Sequence, residues 1–338
     1  MKKKIYKLIL AGSLGIILLI TGCGKGKKDE NDNNQNNNNN NSEIKKSYAG
    51  EFNADTAYFF LQKQVSFGAR VPNTPAHNLC GAYLLSTISR YADKVYEQKA
   101  TVTAYNGTPL PLYNIIGVFN PNQKRRILLT AHWDSRPFTD QDEKDKSKAV
   151  VGANDGASGV AVLLEIARLL KQYPVQNIGI DILLNDVEDY GAPDNYKPEK
   201  EDTYCLGSQY WAKNPHIKDY TAEYAIVLDM VGGKNATFYR EQVSDELAKG
   251  LVDKIWNKAA QLGYGIYFLN EKGGAVTDDH LYIHKIANIP AVDIIDHNPS
   301  RPKGFPEYWQ TQRDDISNID KNTLKAVGAT VYAVLREM

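Results

Sequence analysis

The chain predicts an α/β fold, a three-layer sandwich in which a mixed, mostly parallel central sheet carries helices on both faces. Three observations predict it. Strand-like and helix-like segments alternate between residues 127 and 337, the order that builds parallel sheets. The strand-like segments are continuous apolar runs, as strands buried on both faces must be. Ligand-type side chains directly follow several of those runs, at the carboxyl edge where such sheets gather their sites.

The segments before this alternation do not belong to the fold. Lys2, Lys3, Lys4 and Lys7 precede the apolar run Leu8 to Ile20, which falls short of the roughly 18–20 residues of a membrane span and reads as a secretory leader. Thr21-Gly22-Cys23 resembles a bacterial lipobox, implying cleavage after residue 22 and lipid on the Cys23 sulfur. Residues 23–46 are Asn-rich and polar, with almost nothing to bury, and are expected to be a disordered tether. Lys28-Asp29-Glu30 within it is similar to a surface-export triplet. The expectation is a lipid-anchored cell-envelope protein, on the periplasmic or surface side of an outer membrane, with residues 47–338 as its one catalytic domain.

Within that domain, Ile127 to Ala131 reads as a buried strand. Gly156 to Tyr173 reads as a helix, because Val160, Leu163, Leu164, Ala167 and Leu170 recur at helical spacing. Strands are expected at Ile178 to Leu184, Tyr224 to Leu228 and Ile289 to Ile295, and helices at Cys205 to Lys213, Ser244 to Leu262 and Lys321 to Glu337. Another helix is expected near Leu281, with Asp279 and His280 as its caps. The 40 Lys and Arg residues balance 40 Asp and Glu, which argues against a nucleic-acid partner. Cys80 and Cys205 either pair or stay free.

Chemistry concentrates at the strand exits. His132 and Asp134 follow the first strand, Asp155 precedes a helix, Glu188 and Asp189 follow the Ile178 strand, and Asp229 ends the next. Adjacent carboxylates at a buried strand end can hold a cation with one side chain and move a proton with the other. Taken singly, Asp155 is a helix cap and Trp309 and Phe305 are core; Trp133 and Trp211 read as core too. Converging acidic outlets point instead to a metal site.

With those residues in view, the chain resembles the zinc exopeptidase family and, within it, the glutaminyl cyclases. The resemblance runs from about Phe67 onward through GARVPNTPAH, LLTAHWDSR, GANDGASGVAVLLEIARLL, LLNDVEDYG, LDMVGG, DDH and FPEYW. It implies a zinc-exopeptidase-like fold with Asp155 and Asp189 as zinc ligands and Glu188 as proton shuttle. Asp278 and Asp229 would form an acidic hydrogen-bond network, with Phe305 and Trp309 as the pocket wall. His132 matches the HxD histidine and is expected to orient its neighbours. Where the family places a third ligand, a histidine after the tryptophan, this chain has Gln310. His297 is a candidate substitute by position, although a solvated loop histidine is its plainer reading.

The activity this implies is conversion of N-terminal Gln of peptides to pyroglutamate and ammonia with one Zn2+ ion, by a monomeric enzyme. Two alternatives stand beside it: a zinc aminopeptidase of the same fold, and a non-catalytic peptide-binding lipoprotein in which Gln310 has cost the metal.

Overall fold

The computed structural model describes residues 51–143, 145–193, 196–197 and 202–338; the leader, Cys23 and the Asn-rich tether lie outside them. The described chain runs α1 (Ala54–Val65), α2 (Pro75–Ile88), β1 (Lys94–Thr103), β2 (Pro109–Phe119), β3 (Arg126–His132), α3 (Ala157–Gln172), β4 (Gly179–Asn185), α4 (Leu206–Lys213), β5 (Tyr224–Asp229), β6 (Phe238–Arg240), α5 (Gln242–Gln261), β7 (Phe268–Lys272), α6 (Asp279–Ala287), β8 (Ala291–Ile295) and α7 (Lys321–Leu335). The main sheet has the order β1-β2-β4-β3-β5-β8. β4, β3, β5 and β8 are parallel, while β1 and β2 join antiparallel at one edge. β6 and β7 form a separate two-stranded parallel ribbon.

The pleat sends successive side chains to opposite faces, and two cores result. Ile127, Leu129, Ile180, Ile182, Ile226 and Ile294 pack with residues of α1, α2, α3, α5 and α7. Leu128, Leu183, Ala225, Val227 and Ala291 pack on the other face with Trp211 of α4 and Ile283 of α6. Trp133 and Trp211 are fully buried, as core residues should be.

Every strand and helix expected between Ile127 and Glu337 is present, with ends shifted by at most two residues. One cap differs. α6 begins at Asp279, and the side chain that accepts its first free N–H is Asp278, so Asp279 lies inside the helix rather than capping it. Four N-terminal elements carried no signal strong enough to place them. α2 is entered through Thr74, which accepts from the His77 N–H, and Pro75 in its first turn, a favourable start for a helix. β1 alternates between exposed and half-buried positions, the pattern of an edge strand.

Candidate active site

The four parallel strands end on one edge, and their register brings the exits together: His132 lies opposite Asn185, and Asp229 opposite Ile295. The His132 Nε2 atom sits 3.0 Å from Asp155 Oδ1 and 3.3 Å from Asp229 Oδ1. Its Nδ1 lies 3.4 Å from Asp134 Oδ1. The imidazole thus stands amid three buried carboxylates. Its pKa is a contest between burial, which lowers it, and those three partners, which carry it well above the ordinary value. Gly156 permits the approach, because a Cβ there would come within 2.4 Å of His132 Nε2.

Asp134 also accepts the backbone N–H groups of Glu188 (3.0 Å) and Asp189 (3.2 Å). It therefore fixes the β4 exit loop and the histidine at once. Asp314 does the same for the loop before α3, accepting the N–H groups of Asn154 (2.8 Å) and Asp155 (3.1 Å). Burial, with Asp155 nearby, pushes Asp314 up to about 8. Arg136 donates from Nη1 to the Asp189 carbonyl (3.1 Å) and to its Oδ1 (3.2 Å), while Nε and Nη2 grip Asp140. The sequence marks Asp134 as a strand-exit residue, though not for this positioning role; Arg136 is not singled out there, although it lies inside LLTAHWDSR. Nothing in the sequence marks Asp314.

Above them lies a pocket of about 420 Å3 that brings together Asp155, Glu188, Asp189, Asp229, Asp278 and Gln310 with Phe305, Trp309 and His297. The Phe305 and Trp309 rings lie 4.4 Å apart at one side. His297 packs edge-on against Phe305, 5.2 Å away, and burial lowers its pKa. Gln310 is buried and donates from Nε2 to Asp189 Oδ1 at 3.4 Å. Cys80 and Cys205 are both free thiols.

Burial drives Glu188 well above the carboxylate range; His132 opposes this and the charges of Asp189, Asp278 and Asp279 add to it. Burial and the neighbouring Asp279 and Asp229 do the same to Asp278, and burial raises Asp229 to about 6. So much negative charge away from water needs protons or a cation. Asp278 Oδ2 is buried without a hydrogen-bond partner. His132, Asp155 and Asp229 can place donor atoms within 4.8 Å of one another. The donor set, imidazole and carboxylate, suits zinc.

Strain marks the same place. Among the described residues, the residues other than Gly, Asn and Asp with left-handed backbone are Val187, Cys205, Met230 and Gln310. Each is a site residue or adjoins one, and such conformations persist where surrounding structure over-determines them.

A parallel-sheet edge carrying histidine, an acidic pair and a buried carboxylate pocket has the donors and proton-moving groups of a metal-dependent enzyme. Sequence comparison narrows this: the model of Peptidase family M28 matches residues 114–335, and the chain belongs to that family. Among solved structures, it is similar to a Zn-dependent exopeptidase from Parabacteroides distasonis, at 52% identity and TM-score 0.84, covering 86% of this chain and 100% of that one. It is also similar to the glutaminyl cyclase of Tannerella forsythia, at 50% identity and TM-score 0.83, with the same coverage. The glutaminyl-peptide cyclotransferase of Bos taurus is 27% identical over 284 residues, 75% of this chain and 74% of that protein.

Proposed function

We propose that the protein is a zinc-dependent glutaminyl-peptide cyclotransferase, converting the N-terminal Gln of peptides to pyroglutamate with release of ammonia. The observation that carries this reading is the placement of Glu188 and Asp278 in one pocket with the Phe305–Trp309 pair. The aromatic pair encloses the glutamine side chain and the carboxylates face the groups that exchange protons. The nucleophile is the substrate's own α-amine, tethered to the amide it attacks, so proximity lowers much of the barrier. The α-nitrogen bonds to the carbonyl carbon of the side-chain amide, the bond from that carbon to the amide nitrogen breaks, and one proton passes from the amine to the departing ammonia. Glu188 takes and returns that proton; Asp278 and Asp229 hold the amine. An α-amine pKa of about 7.7–8.0 leaves a usable neutral fraction near neutrality.

Zinc, when bound, polarises the γ-carbonyl as a Lewis acid. In this reading Asp155, Asp189 and Gln310 hold it from the pocket side, and His132 orients Asp155 and Asp229 from behind. A second set, His132 with Asp155 and Asp229, is favoured by its closeness. The two differ in their dependence on Gln310. The aminopeptidase activity consistent with the family predicts free amino acids rather than ammonia from a Gln-initiated peptide. Product analysis by mass spectrometry distinguishes the two; a peptide shortened by its N-terminal residue, with free glutamine and no ammonia, would replace this proposal.

The anchoring belongs to the same proposal. Lipid on Cys23, supported by the apolar leader and the small residues before it, would hold the domain at the cell envelope as a monomer. Radiolabelled palmitate retained by the wild type and lost in Cys23→Ser is the expected result; equal labelling would remove the anchor.

A further inference from the structure

We propose that Cys205 is a positioning residue for Glu188, its thiol wedged between the Glu188 and Asp278 carboxylates so that the proton-moving side chain keeps one orientation. Sγ lies 3.1 Å from Glu188 Oε1 and 3.9 Å from Asp278 Oδ1. Among the described residues no other side chain donates a hydrogen bond to the Glu188 carboxylate. The backbone reinforces the contact. Cys205 N–H donates to the Glu188 carbonyl and Leu206 N–H to the Val187 carbonyl, both at 2.9 Å. The start of α4 is thereby pinned to the β4 exit loop. Cys205 is fully buried and left-handed, with φ of 57°, a conformation disfavoured for a side chain of this kind.

The chemistry suits a thiol. Burial first, and then the carboxylates around it, push the Cys205 pKa well up, so the group is an S–H with one hydrogen to give rather than a reactive thiolate. An S–H is a weak donor. It fixes the direction of the carboxylate without withdrawing much of its capacity to accept a proton. The two members of the acidic pair are thus held by different means, Asp189 by Arg136 and Gln310, Glu188 by Cys205.

This inference rests on Glu188 acting as the proton shuttle. The test compares zinc-loaded full-length Cys205→Ala, Cys205→Ser, Glu188→Gln and the Glu188→Gln/Cys205→Ala double variant on a Gln-initiated peptide. Cys205→Ala should lose about 10- to 100-fold in kcat, the scale of a small misplacement of a reacting group, with KM within about twofold. Serine, which can still donate, should restore most of the loss. In the Glu188→Gln background the alanine substitution should cost nothing further, because its effect passes through Glu188. Retained kcat in Cys205→Ala, loss without rescue by serine, or a full additional loss in the double variant would each overturn the proposal. If the wild type frees amino acids instead of ammonia, the cyclase reading fails and the same comparison is read on hydrolysis. Crystal structures give a readout independent of turnover: an unchanged Glu188 side chain in Cys205→Ala overturns the positioning role, and a reoriented or disordered one supports it.

Discussion

Replacing Gln310 with histidine tests how the metal is held. Gln310 is buried at the pocket, with its Nε2 3.4 Å from Asp189 Oδ1. An imidazole Nε2 stands the same number of bonds from Cα as the amide oxygen, so the donor can take the same place. The left-handed backbone, φ of 51°, is one that histidine adopts more readily than most residues. Structural four-ligand zinc sites contribute roughly 10–16 kcal/mol, or about 3 kcal/mol for each ligand. Exchanging a neutral amide for imidazole should therefore tighten zinc by on the order of 100-fold if Gln310 is a ligand. Chelator competition on wild type and Gln310→His measures this, and the zinc concentration giving half-maximal ammonia release should fall by the same factor. An affinity unchanged within about threefold would refute the Asp155–Asp189–Gln310 assignment and leave His132, Asp155 and Asp229 as the ligands. Tighter zinc with flat turnover would refute the narrower idea that metal loading limits the enzyme.

Glu188→Gln should lower kcat by about 10²–10⁴-fold, the usual worth of a general base, while the melting temperature stays within a few degrees; retained turnover removes Glu188 as shuttle. Trp309→Ala opens the wall that Phe305 completes and should raise KM for Gln peptides more than it lowers kcat; a pure kcat effect contradicts the enclosing role. Glu241, which is not among the proposed zinc ligands, gives a pH prediction. It caps α5, accepting the Val243 and Ser244 N–H groups, and lies 3.3 Å from His280 Nε2. Burial raises its pKa, but the nearby His280 imidazole and the hydrogen bonds from Ser244 prevail and bring it from 4.5 to about 2. A depressed carboxylate stabilises the fold above its unfolded value, and that contribution is lost as pH falls from 4.5 towards about 2. The contribution is about 3 kcal/mol at neutral pH. The gap in thermal stability between wild type and Glu241→Gln should accordingly narrow as pH falls below about 4.5 and close only near pH 2; a pH-independent gap refutes the linkage.

The sheet and most of the pocket were legible because the same residues carry both signals. In Ile178 to Leu184 and Tyr224 to Leu228 an apolar run marks a buried strand, and the carboxylate at its end marks the active edge. Glu188, Asp155 and Asp229 could be found without knowing which strands pair. Arg136, Asp314 and the Cys205 thiol could not, because their roles are contacts between distant segments: Asp314 reaches Asn154 and Asp155 across 160 and 159 residues of chain. No periodicity announces such a contact. β1 was illegible for another reason. As an edge strand reading Lys-Val-Tyr-Glu-Gln-Lys-Ala-Thr-Val-Thr, it lacks the apolar run that marked the buried strands. Asp278 was placed by resemblance alone, and its capping of α6 shows that one carboxylate can end a helix and still present a free oxygen to the pocket.

The most direct test of the cyclase proposal is ammonia release from a Gln-initiated dipeptide by the zinc-loaded full-length protein, with the product examined by mass spectrometry. The account predicts one ammonia per peptide and a product lacking a free α-amine. Free glutamine with no ammonia, or no reaction from a folded and metal-loaded protein, would contradict it.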